Sequence, residues 1–191
     1  MFNDLSSPAA LLATRRSGKP RDMTAPGPDP VQLRTILSGA TRTPDHGKLF
    51  PWHFHVVEDR AALLELLERA YLAEKPEAGR LEMQAVRDFA TYAPTLVVAV
   101  SAPARASHIP IWEQELSAGA ACMNLLSGAH AAGYVASWIT GWPAYSAVVR
   151  DAFGGPDTRI AGFIFIGSPK APLEERPRPD FDKVVHYWPA R

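Results

Sequence analysis

The chain has 191 residues, of which 47% are hydrophobic and 21% charged, and its 20 basic and 20 acidic residues give a formal net charge of zero. This composition is typical of one folded domain and excludes a disordered chain. The zero net charge excludes binding to nucleic acid or to an anionic membrane through overall charge, although it leaves local basic clusters open.

Cys122 is the single cysteine. It excludes an internal disulfide and a metal site built from several cysteines, and the low count fits a reducing, cytoplasmic setting. No run of 18 apolar residues occurs, so we expect no membrane span. The first 22 residues have a short apolar stretch preceded by an acid, which is unlike a signal peptide. We therefore expect a cytoplasmic protein.

Apolar spacing and turn residues predict alternating helices and strands along the chain. Helices are expected at residues 8–14, 30–40, 61–74, 81–90, 113–133 and 144–153, and strands at 54–58, 95–102, 134–141 and 161–169. Four prolines and a glycine make residues 20–30 an expected extended loop, and the proline-rich tail at 170–191 is also expected to be extended. This order predicts a single α+β domain over residues 1–191, with strands sandwiched by helices.

A basic segment follows the first expected helix. Arg15, Arg16 and Ser17 could supply a forked, charge-assisted grip on a phosphate. In an extended segment Lys19 would share a side with residues 15 and 17. The alternative is a solvated basic helix end that complements the helix dipole.

The stretch TRTPDHGKLFPWHF at residues 41–54 is too rich in charged and aromatic residues for a simple connection. Its histidines, with His55 and Asp45, raise the hypothesis of a metal site. No further ligand stands at the helical spacing typical of catalytic zinc, so we expect no metal. Trp52 after Pro51 indicates a rigid turn whose indole packs against a planar or apolar surface.

Two glycine-containing segments are weaker candidates for ligand binding. GAHAAG at residues 128–133 could approach a pyrophosphate, but it lacks the strand-GxGxxG-helix context, and a helix ending at glycine is the simpler interpretation. WITG at residues 138–141 lies where a strand ends and backbone groups often meet a ligand, or it is an ordinary strand exit. No GxSxG, P-loop or HExxH motif occurs.

Taken in order, these motifs resemble the nitroreductase family of FMN-dependent oxidoreductases, and in particular its small branch with PDH before PW. The matching runs are RRSGK at 15–19, ATRTPDH at 40–46, PWHF at 51–54, WEQELSAG at 112–119, WITG at 138–141 and RPRP at 176–179. No single run is specific, but their order and spacing cover nearly the whole chain. The resemblance implies a nitroreductase-like α+β fold with a mainly antiparallel sheet, in an intertwined homodimer with two FMN sites at the interface.

The resemblance also implies roles for residues of this chain. The FMN phosphate and ribityl region would be held by Arg15, Arg16 and Ser17, with Arg178 completing the phosphate site and Lys19 near the N1/O2 edge of the flavin. Arg42 and His46 of the partner chain would border the flavin. Backbone contacts to the flavin would come from Trp138, Ile139, Thr140 and Gly141. A segment that contacts nicotinamide would comprise Gly128, Ala129, His130, Ala131, Ala132 and Gly133.

The implied activity is hydride transfer from NAD(P)H through flavin N5 to a nitro compound, quinone or similar acceptor, in a ping-pong sequence. FMN carries this chemistry, so no catalytic side chain is expected, and a cation at Lys19 or a backbone dipole would stabilise reduced flavin. The alternatives are a non-catalytic flavin-binding or sensing protein of the same fold, and a non-flavin module that binds a phosphate anion at residues 15–17. The turn departs from the wider family at Lys48, where many members have Asn, and at Phe50, where many have Gln.

Overall fold

The structure, a computed structural model, describes residues 2–189. Five strands form one sheet in which every neighbouring pair is antiparallel, in the order β1-β5-β3-β2, with β4 also pairing with β5. The strands are β1 (Met23–Thr24), β2 (Trp52–Val56), β3 (Thr95–Ser101), β4 (Val135–Ile139) and β5 (Arg159–Pro169).

Helices cover both faces of this sheet. They are α1 (Pro8–Thr14), α2 (Pro30–Ala40), α3 (Arg60–Glu74), α4 (Arg80–Thr91), α5 (Ile111–Ala131), α6 (Ala147–Phe153) and α7 (Phe181–Val184). Among residues 2–189 no helix has the length and apolar character needed to cross a membrane.

The buried strand β3 divides the hydrophobic core into two layers, because successive side chains of a strand point to opposite faces. Leu96, Val98 and Val100 pack with α3 and α4 in one buried cluster. Val97 and Ala99 pack with α2 and α5 in the other. The unbroken apolar run of β3 is thus explained by burial on both faces.

Helix α5 is buried on several sides because its middle consists of small residues. Ala118 and Ala121 pack against the buried indole of Trp52. Further along, a Cβ added at Gly128 would lie 3.5 Å from Ile36 of α2. These close approaches fix α5 between the sheet and α2. Both segments of the candidate site described below are attached to this helix.

The predicted α+β class and the mainly antiparallel sheet between helices are confirmed, and every predicted helix and strand has a counterpart. The boundaries required corrections: the first long strand begins at residue 52 and not 54, α5 begins at 111, and residues 142–144 form a 3-10 turn before α6. The expectation that residues 20–30 form only an extended loop was wrong at its start. Residues 20–22 form a 3-10 turn and β1 pairs two residues with Pro169 and Ser168, which is too short a pairing to leave a sequence pattern.

A bulge in β5 lies beside Trp138, near the end of β4. The pairing of β3 with β5 shifts at Ala161, which stands between the partners of Ala99 and Val100. The Ala161 carbonyl accepts a hydrogen bond from Nε1 of Trp138 at 2.9 Å. The indole lies so close to Gly162 that a Cβ there would come 2.0 Å from Trp138 Nε1. Glycine is therefore required at position 162 for Trp138 to occupy this place.

We expect Gly162→Ala to lower the free energy of unfolding by about 1–3 kcal/mol, because the added methyl group must displace the Trp138 indole. Urea unfolding followed by circular dichroism measures the difference. Gly39→Ala is the matched control, since a Cβ at this helix position meets nothing within 4 Å. The control should gain roughly 0.5–1 kcal/mol from helix propensity. Equal stability of the two variants would contradict the packing described for Trp138.

Candidate functional site

The predicted basic segment, residues 15–19, follows directly after α1. Residues that precede α1 hold it in place. The Arg16 amide donates a hydrogen bond to Oδ1 of Asn3 at 2.8 Å, and the Asn3 amide donates to the Thr14 carbonyl at 3.2 Å. Arg15 Nη1 donates to Ser17 Oγ at 3.3 Å. The backbone of residues 15–17 is therefore held on one side by α1 and on the other by the first residues of the chain.

Arg16 is a buried guanidinium, with 7% of the residue exposed. Its Nη1 donates to the Arg15 carbonyl at 2.7 Å, its Nη2 pairs with the Glu175 carboxylate, and its plane lies 5.0 Å from the ring centre of Phe2. Its buried Nε has no hydrogen-bond partner among residues 2–189. A buried donor without a partner is costly, so this atom is available for an acceptor that the protein itself does not supply.

Several cations converge beside this guanidinium. Burial lowers the pKa of Arg15, and the nearby positive charges of Arg178 and Arg16 lower it further. Two acids from the C-terminal segment oppose this charge: Glu174 lies 3.3 Å from Lys19 Nζ, and Glu175, paired with Arg16, lies 4.0 Å from Arg178 Nε. The crowding of like charges that depresses the pKa of Arg15 would be relieved by a bound anion.

A cavity of about 100 Å³ opens next to these cations. Its lining includes Ser17, Gly18 and Lys19 on one side and Glu174 and Arg176 on the other. The structure thus brings the predicted residues Arg15, Ser17 and Lys19 to one place, together with acids that were not predicted. The Ser17 hydroxyl and the cations of Lys19 and Arg176 are donors that suit a phosphate, and the acids Asp22 and Glu174 stand beside them in the lining.

Strand β4 connects this cavity to the predicted WITG segment. Val135, its first residue, lines the cavity, and a Cβ on Gly18 would come within 2.6 Å of the Val135 side chain. Thr140 follows five residues later, about 17 Å away at the rise of an extended strand. Gly141 has φ 75° and ψ −175°, a conformation that is open essentially to glycine alone. The cavity and this exit therefore lie at the two ends of β4.

The segment Gly128–Gly133 forms the last turn of α5 and its end. Gly133 has φ 88°, its amide donates to the His130 carbonyl at 2.9 Å, and the Tyr134 amide donates to the Ala129 carbonyl at 3.0 Å. This is a Schellman termination, which explains the second glycine without a ligand. The free carbonyls at a helix C-terminus carry partial negative charge, which disfavours a pyrophosphate here. Contact with nicotinamide by this segment stays a prediction.

The turn at residues 41–54 is attached to α5 at three points along the helix, Glu113, Ser117 and Asn124. Ser117 Oγ donates to the Pro44 carbonyl at 2.7 Å, and Asn124 Nδ2 donates to Thr43 Oγ1 at 2.7 Å. His46 Nδ1 lies 2.8 Å from the Glu113 carboxylate. The sequence comparison of motifs included Glu113 but assigned it no role. Only the contact across 67 positions identifies it as the partner of His46.

The backbone of this turn is strained at the two residues that depart from the wider family. Gly47, Lys48 and Phe50 have φ values of 82°, 56° and 50°, all in the left-handed region. That region costs a side chain roughly 1–2 kcal/mol relative to ordinary backbone. The Phe50 amide is held by Asp45 Oδ2 at 2.7 Å, and the Phe50 ring, 64% exposed, lies edge-on to Trp52.

Two of the predicted site residues, Arg16 and His46, are attached to opposite ends of α5. Arg16 contacts His130 at one end and His46 contacts Glu113 at the other. These contacts are 17 residues apart along the helix, which is about 25 Å at 1.5 Å per residue. Within one chain the structure brings Arg15–Lys19 and residues 138–141 to the two ends of β4, and it places His46 at the opposite end of α5 from the basic segment.

The three histidines of the turn do not converge. His46 faces Glu113, whereas His53 and His55 lie on β2, and burial lowers the pKa of His55. Across residues 2–189, no three His, Cys, Asp or Glu side chains are grouped as metal ligands. Cys122 is buried, and its burial raises the pKa of the thiol to about 12, so it carries no nucleophile at neutral pH.

Comparison with known proteins agrees with the fold. The model of the nitroreductase family matches residues 12–168. YdjA of Escherichia coli K12, provisionally named as an NAD(P)H nitroreductase, is 34% identical over 163 residues, covering 84% of this chain and 87% of that protein. A Haemophilus influenzae protein with a similar provisional name is 37% identical over 161 residues, covering 83% of this chain and 86% of its own. The chain therefore belongs to the nitroreductase family.

Solved structures share the fold at lower sequence identity. A nitroreductase-like family protein from Bacillus cereus superposes with a TM-score of 0.79 at 21% identity, covering 97% of both chains. The NADPH:FMN oxidoreductase of Vibrio harveyi, in complex with NAD⁺, gives a TM-score of 0.70 at 21% identity over 93% of this chain and 75% of that chain.

Proposed function

We propose that this chain is an FMN-dependent NAD(P)H oxidoreductase that acts on a nitro compound, a quinone or a similar acceptor. The observation that carries the proposal is the cluster of cations at Arg15, Arg16, Lys19 and Arg178 beside the cavity at the start of β4. Membership of the nitroreductase family and the names of the relatives support the assignment of the activity.

The residues of the basic segment fit the phosphate of FMN. Arg16 Nε is a buried donor without a partner, and Arg15 is surrounded by two further guanidiniums. Charge-assisted hydrogen bonds from such groups are short and strong, and the guanidinium fork matches phosphate oxygens in geometry. Glu174 and Glu175 would give up part of their contacts to Lys19 and Arg16 when the phosphate binds.

When bound, FMN supplies the two-electron chemistry that accepts hydride from NAD(P)H and passes it to the acceptor. Lys19 provides a cation that would stabilise negative charge at the N1/O2 edge of the flavin. The exit at residues 138–141 offers backbone N–H and C=O groups to a ligand. Gly141 has no side chain to cover these groups and adopts a conformation that other residues avoid. Trp138 is fixed against Gly162 and would give this end of the site a rigid wall.

We further propose that two chains form a homodimer in which Arg42 and His46 of one chain border the FMN held by the other. The separation of about 25 Å along α5 supports this arrangement for His46, which contacts Glu113 at the opposite end of the helix from the contact between His130 and Arg16. Large apolar side chains remain exposed on α5 and on the C-terminal segment: Trp112 is 67% exposed and Trp188 is 96% exposed. Surfaces of this kind typically become buried between subunits.

Purified protein, reconstituted with FMN and desalted, should retain the yellow colour and visible absorption of bound flavin. Anaerobic addition of NADH or NADPH should bleach this absorption, and a nitroaromatic compound or a quinone should restore it. Retained flavin that neither nucleotide reduces would instead support a non-catalytic flavin-binding protein. Protein that retains no flavin would contradict the proposal.

Arg178→Ala should weaken FMN binding by roughly tenfold, the size of one partly exposed charge-assisted hydrogen bond. Riboflavin, which lacks the phosphate, should bind the variant and the unaltered protein equally. Quenching of flavin fluorescence measures both dissociation constants. Arg69→Ala, on the exposed face of α3, is the control and should change neither value. An equal loss for FMN and riboflavin would contradict the assignment of Arg178 to the phosphate.

A further inference from the structure

His130 connects the central helix to the basic segment. We propose that His130 is a positioning residue that couples the binding of a phosphate at Arg15–Ser17 to the uptake of a proton. This inference rests on the phosphate site of the proposed function and adds a role for a buried side chain whose two ring nitrogens face backbone carbonyls.

The imidazole is fully buried, with 0% of the residue exposed. Its Nδ1 lies 2.7 Å from the Leu126 carbonyl oxygen, and its Nε2 lies 2.9 Å from the Arg16 carbonyl oxygen. Both partners are acceptors. A neutral imidazole has a single N–H and satisfies one of them, whereas an imidazolium donates to both. The geometry of the ring is therefore suited to the protonated form.

Opposing effects act on the charge of this ring. Burial lowers the pKa of His130, the positive charge of Arg15 lowers it further, and the two carbonyl contacts raise it. The charged groups on the segments around Arg15 are Arg16, which is paired with Glu175, and Arg178. Burial, together with the charge of Arg15, holds the pKa of His130 below its ordinary value, and the neutral ring leaves one of its two carbonyl contacts without a proton.

A phosphate bound beside Arg15 changes this balance. Its negative charge offsets the cations that oppose protonation, so the pKa of His130 rises on binding and the ring takes up a proton. The imidazolium then donates to the Arg16 and Leu126 carbonyls together, which fixes the backbone of the phosphate-binding segment to α5. Because the pKa is higher in the complex, binding is strengthened as the pH falls through the pKa of the complex. The gain levels off below the pKa of the free protein.

The test is the pH dependence of FMN affinity in the unaltered protein and in His130→Gln. Glutamine donates to one carbonyl but does not titrate. The titration of the FMN phosphate itself near pH 6 cancels in the ratio of the two dissociation constants at each pH. We expect the advantage of the unaltered protein to increase between pH 8 and pH 6, by up to about tenfold for each unit by which binding raises the pKa.

Calorimetry in buffers of different ionisation enthalpy measures the protons taken up on binding FMN. The unaltered protein should take up more protons than His130→Gln. His108→Gln, on the exposed loop before α5, should behave as the unaltered protein. Riboflavin binding should show no difference between the proteins, since it brings no phosphate charge.

Nitrogen chemical shifts of the His130 ring in the unaltered protein, with and without FMN, give the same information if the variant fails to fold. Conversion of the ring to imidazolium on binding supports the inference. Bound FMN with an unchanged ring, or with equal proton uptake in both proteins, would contradict the coupling and leave the proposed function intact. Failure of FMN to bind the unaltered protein would overturn both.

Discussion

Two polar segments of the chain are attached to helix α5, one near each end. These attachments determine which of the predicted site residues lie together within one chain. His130 binds the backbone of Arg16 at one end, and Glu113 and Ser117 hold the turn at residues 41–54 near the other. The contacts of Arg16 with His130 and of His46 with Glu113 are 17 residues apart on this helix, which is about 25 Å. In the proposed homodimer, His46 of one chain would therefore approach the basic segment of the other.

The small residues of α5 also explain how closely the neighbouring elements pack against it. Small residues in its middle admit Trp52 on one side, and Gly128 lets α2 approach on another. The bulge at Ala161 and the missing side chain at Gly162 give Trp138 a fixed place at the exit of β4. This packing fixes Trp138 at the end of β4 that leads to Gly141, opposite the end that lines the cavity beside Lys19.

Much of the fold followed from local patterns, because the helices have clear caps and apolar faces and β3 and β5 are continuous apolar runs. Asp29 caps α2 in a capping box with Gln32, as the Asp-Pro start predicted for the cap. The family resemblance also indicated the basic segment and the turn. Four contacts could not be predicted, since each joins chain segments that only folding brings together. They are those of Arg16 with Asn3, Glu175 and His130, and that of His46 with Glu113. The two-residue strand β1 escaped prediction for the same reason.

Mixed dimers test the shared site most directly. Arg15→Ala and Arg42→Ala chains, carrying different affinity tags, are co-expressed and the mixed dimers isolated, and FMN binding is titrated. In a shared site, one site of each mixed dimer carries both changes and the other carries neither. The account predicts that half of the sites bind FMN with the affinity of the unaltered protein, while each variant alone binds weakly at both sites. Weak binding at every site of the mixed dimer would contradict it, because both residues would then act within one chain.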